Sequence, residues 1–201
     1  MILYFIIIAV AMFFICLFNG LLGSICFVEN GLLNLILIVG LGVIIEFVID
    51  LIVSLIITLL PAKTFKFFNK SYKWEKKFYE KLGVRKWKDY IPVGKGPIFL
   101  GIDKSKIDNP NDVAFLNKLV DECFKAEVMH FLSMFMGFFL ILIFPIKYAL
   151  IVSLPIAIVN MFLQLLPFIV QRYNLPKLKI LLKRAKLTEE RKLNKKEQPN
   201  D

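Results

Sequence analysis

Four apolar runs set the pattern of this chain: roughly Ile2 to Phe18, Leu33 to Leu60, Val128 to Phe144 and Tyr148 to Val170. Each is apolar all round rather than along one stripe, and each approaches or exceeds the length of about 20 residues that carries a helix across a hydrocarbon core. The pattern predicts transmembrane helices, the second long enough to tilt or to project beyond the bilayer. Only Pro145, Ile146 and Lys147 separate the last two, which therefore pair as a hairpin. Between the second and third runs the pattern changes. From Lys63 to Leu82, Phe65, Phe68, Tyr72 and Phe78 fall among Lys66, Lys70, Lys73, Lys76 and Lys77, a spacing that suits a helix lying in the headgroup layer. Gly83, Pro92, Gly94, Gly96, Pro97 and Gly101 then mark a loop. Asn109 before Pro110 reads as an N-cap. The helix it opens carries Val113, Leu116, Leu119, Val120 and Cys123 on one face, is supported by the i,i+4 pair Asp121 and Lys125, and runs into the third span.

The expected fold is an all-α integral membrane protein of about four transmembrane helices with amphipathic helices on the cytoplasmic side. Its segments are an N-terminal hairpin over 1–62, an interfacial segment over 63–127, a C-terminal hairpin over 128–171 and a basic tail over 172–201. Composition agrees: 58% of 201 residues are hydrophobic, 20 are Phe, and the mean hydropathy is +0.68, which excludes an ordinary soluble domain. Charge orients the spans. Fifteen Lys or Arg lie between Lys63 and Lys125 and ten between Arg172 and Lys196, whereas the connection from Asn19 to Asn34 has none. Basic residues mark the cytoplasmic side, so both termini are expected there. The first run lacks a basic lead, and Gly23-Ser24-Ile25 does not match a small-x-small cleavage site. We read it as a retained anchor, with a cleaved signal peptide as the alternative. The net charge of +10 fits anionic lipid headgroups. No nucleic-acid recognition motif accompanies it. Cys16, Cys26 and Cys123 have no CxxC spacing, so neither a metal site nor a disulfide framework is expected.

The candidate chemistry centres on ECFKAEVMHF, residues 122–131, which holds the only histidine, His130, three residues after Glu127. At i,i+3 the two share a helix face, and a carboxylate there can hold one imidazole nitrogen as donor while the other takes a proton. The alternative is a buried histidine bonded to a neighbouring helix. A di-iron ExxH site needs a second such motif, which is absent. In the second span, Glu46 and Asp50 share a face, and acids at that depth mark a bundle interior, a polar cavity or an ion path. They are expected to bond Asn160 or Gln164, and they keep open a small transporter or an accessory membrane subunit as a second function.

Two more stretches accompany ECFKAEVMH. KLGVRKWKDYIP, residues 81–92, holds Arg85, Trp87, Lys88 and Asp89, and IVQRYNLPKL, residues 169–178, holds Gln171, Arg172, Tyr173 and Asn174. With Asn160 and Pro167, these motifs over Leu60 to Leu182 resemble the glycosyl-4,4′-diaponeurosporenoate acyltransferase family of bacterial membrane proteins. Where the family pattern has a basic residue between Asn and Pro of its QRYN motif, this chain has Leu175, with Lys177 after Pro176. The resemblance implies a bacterial plasma-membrane enzyme that esterifies a fatty acyl group onto the sugar of a glycosylated carotenoid acid or a similar glycolipid. It needs no cofactor beyond a fatty acyl thioester as co-substrate, and its partners are membrane lipids and two amphiphiles.

Roles follow from the chemistry of acyl transfer, which needs a base, oxyanion stabilisation and positioning. His130 is the candidate base, with Glu127 or Glu122 as orienter. Gln171, Arg172, Tyr173 and Asn174 are candidate donors, brought near His130 by the hairpin, and Asn160 is a further substrate contact. Trp87 suits a sugar face, Asp89 completes that motif, and Arg85 and Lys88 suit a phosphate-bearing donor. Each of these also has an ordinary reading as a membrane anchor. Cys123 as a covalent nucleophile is disfavoured, because seven residues on one helix separate it from His130 by roughly 10 Å. Ser133, one turn deeper, reads as a helix-packing hydroxyl.

Overall fold

The computed structural model describes residues 2–22, 31–69, 72–91, 107 and 110–197, and all regular structure among them is helical. Gly23-Ser24-Ile25, Cys26, Asn109 and the loop from Pro92 to Gly101 lie outside the described residues. Two long helices come first, α1 (Ile2–Leu22) and α2 (Gly31–Leu59). A 3-10 stretch (Ala62–Asn69), α3 (Lys73–Lys81), α4 (Val84–Trp87) and a 3-10 turn (Lys88–Tyr90) follow. Then come α5 (Val113–Met136), a 3-10 turn (Gly137–Phe139), α6 (Leu140–Ile143), α7 (Ile146–Tyr148), a π turn (Ala149–Ser153) and α8 (Leu154–Glu197). Four stretches are long and apolar enough to cross a membrane: Tyr4–Leu21, Leu33–Leu59, Val113–Ile143 and Ile146–Asn194. The chain is thus an all-α protein with four membrane-spanning candidates.

Three local expectations differ from the structure. The surface helix expected from Lys63 to Leu82 is divided: Phe65 leaves helical geometry at φ −104°, ψ 20°, and Tyr72 is extended before α3 begins. The loop expected from Gly83 onward begins instead with α4. Gly83 adopts φ +65°, which reverses the chain at the end of α3 without a Cβ clash, and its carbonyl starts the next turn by accepting from the Lys86 N–H at 2.8 Å. The helix of the third span opens later than Asn109. The carboxylate of Asp112 accepts the Phe115 N–H at 2.9 Å, so Asp112 caps α5. Its buried stripe of Leu116, Leu119 and Cys123 is the face the sequence assigns.

The chain divides into two compact units, the first of Met1–Leu60 and Met129–Leu166 and the second of Pro61–Val128 and Pro167–Asp201, the dividing points falling inside α5 and α8. In the first unit Ile15, Leu35, Val39, Leu140, Val152 and Ile156 form an apolar core. Its other apolar side chains, such as Phe13, Ile44, Leu51 and Leu142, are exposed, as lipid-facing residues are.

Proline accounts for how α1 is held. A proline has no N–H to give the carbonyl four residues earlier, and in a membrane that carbonyl needs another donor. Pro155 frees Ile151, whose oxygen accepts from Asn19 Nδ2 at 2.9 Å; Pro167 frees Leu163, whose oxygen accepts from the Tyr4 hydroxyl at 3.3 Å. Both donors stand on α1, so side chains at its two ends supply the bonds the prolines removed. Asn19→Leu should therefore lower the thermal midpoint of the detergent-solubilised protein by an amount equivalent to about 1 kcal/mol, the usual worth of such a bond between membrane helices. A thermal melt beside wild type checks it, and an unchanged midpoint would show that water serves the carbonyl.

Candidate functional site

In the first unit α2, α5 and α8 each bring polar side chains to one cluster. Asn160 and Gln164 sit one turn apart on α8, and Glu46 and Asp50 one turn apart on α2, so the two pairs face each other in register. Asn160 Nδ2 donates to Glu46 Oε1 at 2.5 Å and stands 3.4 Å from Asp50 Oδ1. Gln164 Nε2 donates to Asp50 Oδ2 at 2.5 Å, and Ser133 of α5 hydrogen-bonds the Asp50 carboxylate as well. Gly137 closes the cluster: a Cβ there would strike Glu46 Oε1 and come within 3.1 Å of Asn160 Nδ2, so the acid and the amide meet only over a glycine.

His130 completes the chain of bonds. Its Nδ1 lies 2.7 Å from Gln164 Oε1. Because the Gln164 amide turns its NH2 to the Asp50 carboxylate, its oxygen faces the ring and must accept, so Nδ1 carries the proton. The neutral ring then has its lone pair on Nε2. The orienter expected on His130 was Glu127 or Glu122; the group on Nδ1 is Gln164, held by Asp50. Glu127 is otherwise engaged, and Glu122 is half-buried on α5.

The second unit shows where Glu127 goes. Arg172 Nη1 donates to Glu127 Oε1 at 2.7 Å and to the Phe68 carbonyl at 3.1 Å, and Nη2 donates to Glu75 Oε1 at 2.9 Å. Glu127 is 0% exposed and Glu75 8%, so this is a buried triad of one guanidinium and two carboxylates. Tyr79 lies in the same surroundings; burial pushes its phenol above the ordinary range, the Glu75 carboxylate adds to this, and the Arg172 guanidinium opposes it. Arg172, expected as an oxyanion or donor-binding group, has three of its five N–H donors on the two acids and a carbonyl.

Gln171 and Tyr173 are buried, Asn174 is half-buried, and the Lys177 ammonium lies 3.4 Å from the centroid of the Tyr173 ring. Leu175, between Asn174 and Pro176, is buried, as suits its apolar side chain. Arg85 and Asp89 are exposed, Lys88 pairs with Asp89 at 3.4 Å, and the Trp87 indole N–H is tied to the Leu82 carbonyl at 3.1 Å. The structure therefore brings His130 and Asn160 into one cluster and Glu127 and Arg172 into another. The sequence did not mark Glu75 or Gly137. Glu75 had one available signal, an acid at the centre of a Lys-rich aromatic helix.

Comparison with known proteins adds a family. The profile of the glycosyl-4,4′-diaponeurosporenoate acyltransferases matches residues 61–184, a stretch that contains His130, Asn160, Gln164, Glu75, Glu127 and Arg172 and leaves out Glu46 and Asp50. No curated protein and no solved structure matches the chain.

Proposed function

This chain belongs to the glycosyl-4,4′-diaponeurosporenoate acyltransferase family and is an acyltransferase, and from that premise we propose that it esterifies a sugar hydroxyl of a glycosylated carotenoid acid, or a similar glycolipid, with His130 as general base. The observation that carries this reading is the sequence of bonds His130, Gln164, Asp50, which supports the tautomer with the basic nitrogen at Nε2. The acceptor hydroxyl oxygen attacks the carbonyl of a fatty acyl thioester. A C–O bond forms and the C–S bond breaks, while Nε2 takes the hydroxyl proton and returns it to the leaving thiolate, so the base is regenerated.

The family match favours acyl transfer over transport, and Asp50, which the transport reading would use with Glu46, is one amide away from His130. We place the protein in the bacterial plasma membrane with both termini and residues 63–125 on the cytoplasmic side, supported by the distribution of Lys and Arg. On α3, Trp74 and Phe78 are exposed beside Lys77, which suits the lipid surface from which both amphiphiles arrive. Exposed Arg85 and neighbouring Lys88 are proposed to attract a phosphate-bearing acyl donor.

Lipid mass spectrometry of cells with and without the gene tests the proposal. The expected result is loss of an acylated glycolipid with accumulation of its unacylated precursor, restored by wild-type protein but not by His130→Gln. An unchanged lipid profile would overturn it.

A further inference from the structure

A cleft of about 90 Å³ opens in the first unit, walled on the α1 side by Ile8, Ala11 and Met12 and bearing Glu46, Asp50, Asn160 and Gln164 as its polar side. It is far smaller than the roughly 300 to 1,000 Å³ of a pocket that encloses a whole drug-sized ligand, so what it admits is the end of a molecule. Among the described residues its polar side has one unmet requirement. Glu46 is 5% exposed, its Oε1 accepts from Asn160, and its Oε2 has no hydrogen-bond partner. A buried carboxylate oxygen without a donor is costly, and a ligand that brings an N–H or O–H removes the cost. Gly137 keeps side-chain atoms away from the same carboxylate.

We infer that this cleft seats the hydroxyl-bearing head of an amphiphilic lipid, with a hydroxyl donating to Glu46 Oε2. Resting on the acyl-transfer reading above, that head is the acceptor's sugar. The chemistry separates the ends of the two substrates: the acyl chain and thioester carbonyl of the donor carry no N–H or O–H and would leave Oε2 unmet, whereas a sugar brings several hydroxyl donors. The amides of Asn160 and Gln164 beside the two acids are groups that pair with neighbouring hydroxyls, and Ile8, Ala11 and Met12 offer an apolar surface to the chain behind the head. Gln164 then belongs to both functions, lining the cleft and holding His130 Nδ1. Glu46 is a binding residue in this assignment, not a catalytic one.

The test uses the full chain in phosphatidylglycerol nanodiscs with a photoactivatable alkyl glucoside. Crosslinks are expected on peptides of α1 and α2 that line the cleft, suppressed by excess decyl glucoside and not by methyl palmitate. Glu46→Leu, which removes the acceptor, and Ala11→Phe, which fills the cleft without touching the acids, should each weaken labelling by about tenfold, the effect of losing one charge-assisted hydrogen bond or comparable contact. Unchanged melting temperatures establish that the variants are folded, and either variant suffices if the other is not. Equal suppression by methyl palmitate, or full labelling in the folded variants, would overturn the assignment. Turnover by His130→Gln is measured beside it: full turnover there removes the acyl-transfer reading while labelling still decides the cleft, and lost turnover with no cleft labelling removes the cleft alone.

Discussion

His130→Gln is expected to lower acyl transfer by about 10² to 10⁴, the usual contribution of a general base, with little change in expression or melting temperature in detergent. The amide keeps a hydrogen-bond donor on a side chain of similar size, one bond further from Cβ than Nδ1, but it has no nitrogen that accepts a proton. Asp50→Asn adds a graded test of the same bonds. The carboxylate accepts from Gln164 on one oxygen and faces Asn160 with the other, and an amide in its place leaves only one of those donors an acceptor. When Gln164 is the one displaced, it turns its NH2 to His130 and the ring proton moves to Nε2, which removes the base. Activity of Asp50→Asn should therefore fall between wild type and His130→Gln. Measuring turnover and melting temperature on one preparation distinguishes this from a histidine that only packs helices, for which both variants would melt early and retain normal activity per folded molecule.

The spans were legible because each is a run of apolar residues with no competing pattern, and the lipid-exposed Phe and Ile side chains follow from that run alone. The continuation of α8 to Glu197 was not legible. Pro167 and Pro176 both lie inside it, and in isolation each reads as a stop. What overrides the first is the Tyr4 hydroxyl on the Leu163 carbonyl, a contact across 159 positions of sequence that no local pattern contains. The division near Phe65 is a similar case, since a basic aromatic stretch fits one helix or two equally well.

The site was legible in its ingredients and not in its pairing. His130, Asn160, Glu46 and Asp50 stood out because polar groups at membrane depth are rare, and their helical spacing put each pair on one face. The partner of His130 was misassigned because Glu127 is the nearest acid along the helix, three residues away, whereas Gln164 is 34 positions away. Sequence distance favours the local carboxylate, but the Arg172 guanidinium offers Glu127 a stronger bond than a neutral imidazole does. The family profile begins at residue 61, so Glu46 and Asp50 come from outside the matched stretch and bond to Asn160 and Gln164 within it.

Arg172→Ala is expected to cost the folded protein rather than a catalytic step. Removing one partner from a buried ion pair typically costs about 3 to 5 kcal/mol, because the remaining charge loses its partner, and here two carboxylates are left together with the Lys179 ammonium acting on Glu127. Glu127 has no exposure to water that would soften the loss, and the Oε2 atoms of Glu75 and Glu127 have no hydrogen-bond partners to share the charge. Arg172→Lys should be intermediate, since an ammonium keeps the charge but cannot hold both acids and the Phe68 carbonyl with a planar fork. The diagnostic variant is Arg172→Met combined with Glu75→Gln and Glu127→Leu, which removes all three charges at once. Neutralising the whole triad should restore folding and, with His130, Gln164 and Asp50 intact, a large part of the activity. Thermal melting and turnover on the same samples read both quantities. If Arg172→Ala melts with wild type and lacks turnover, the guanidinium acts on substrate, and the triad is the resting arrangement of a binding group.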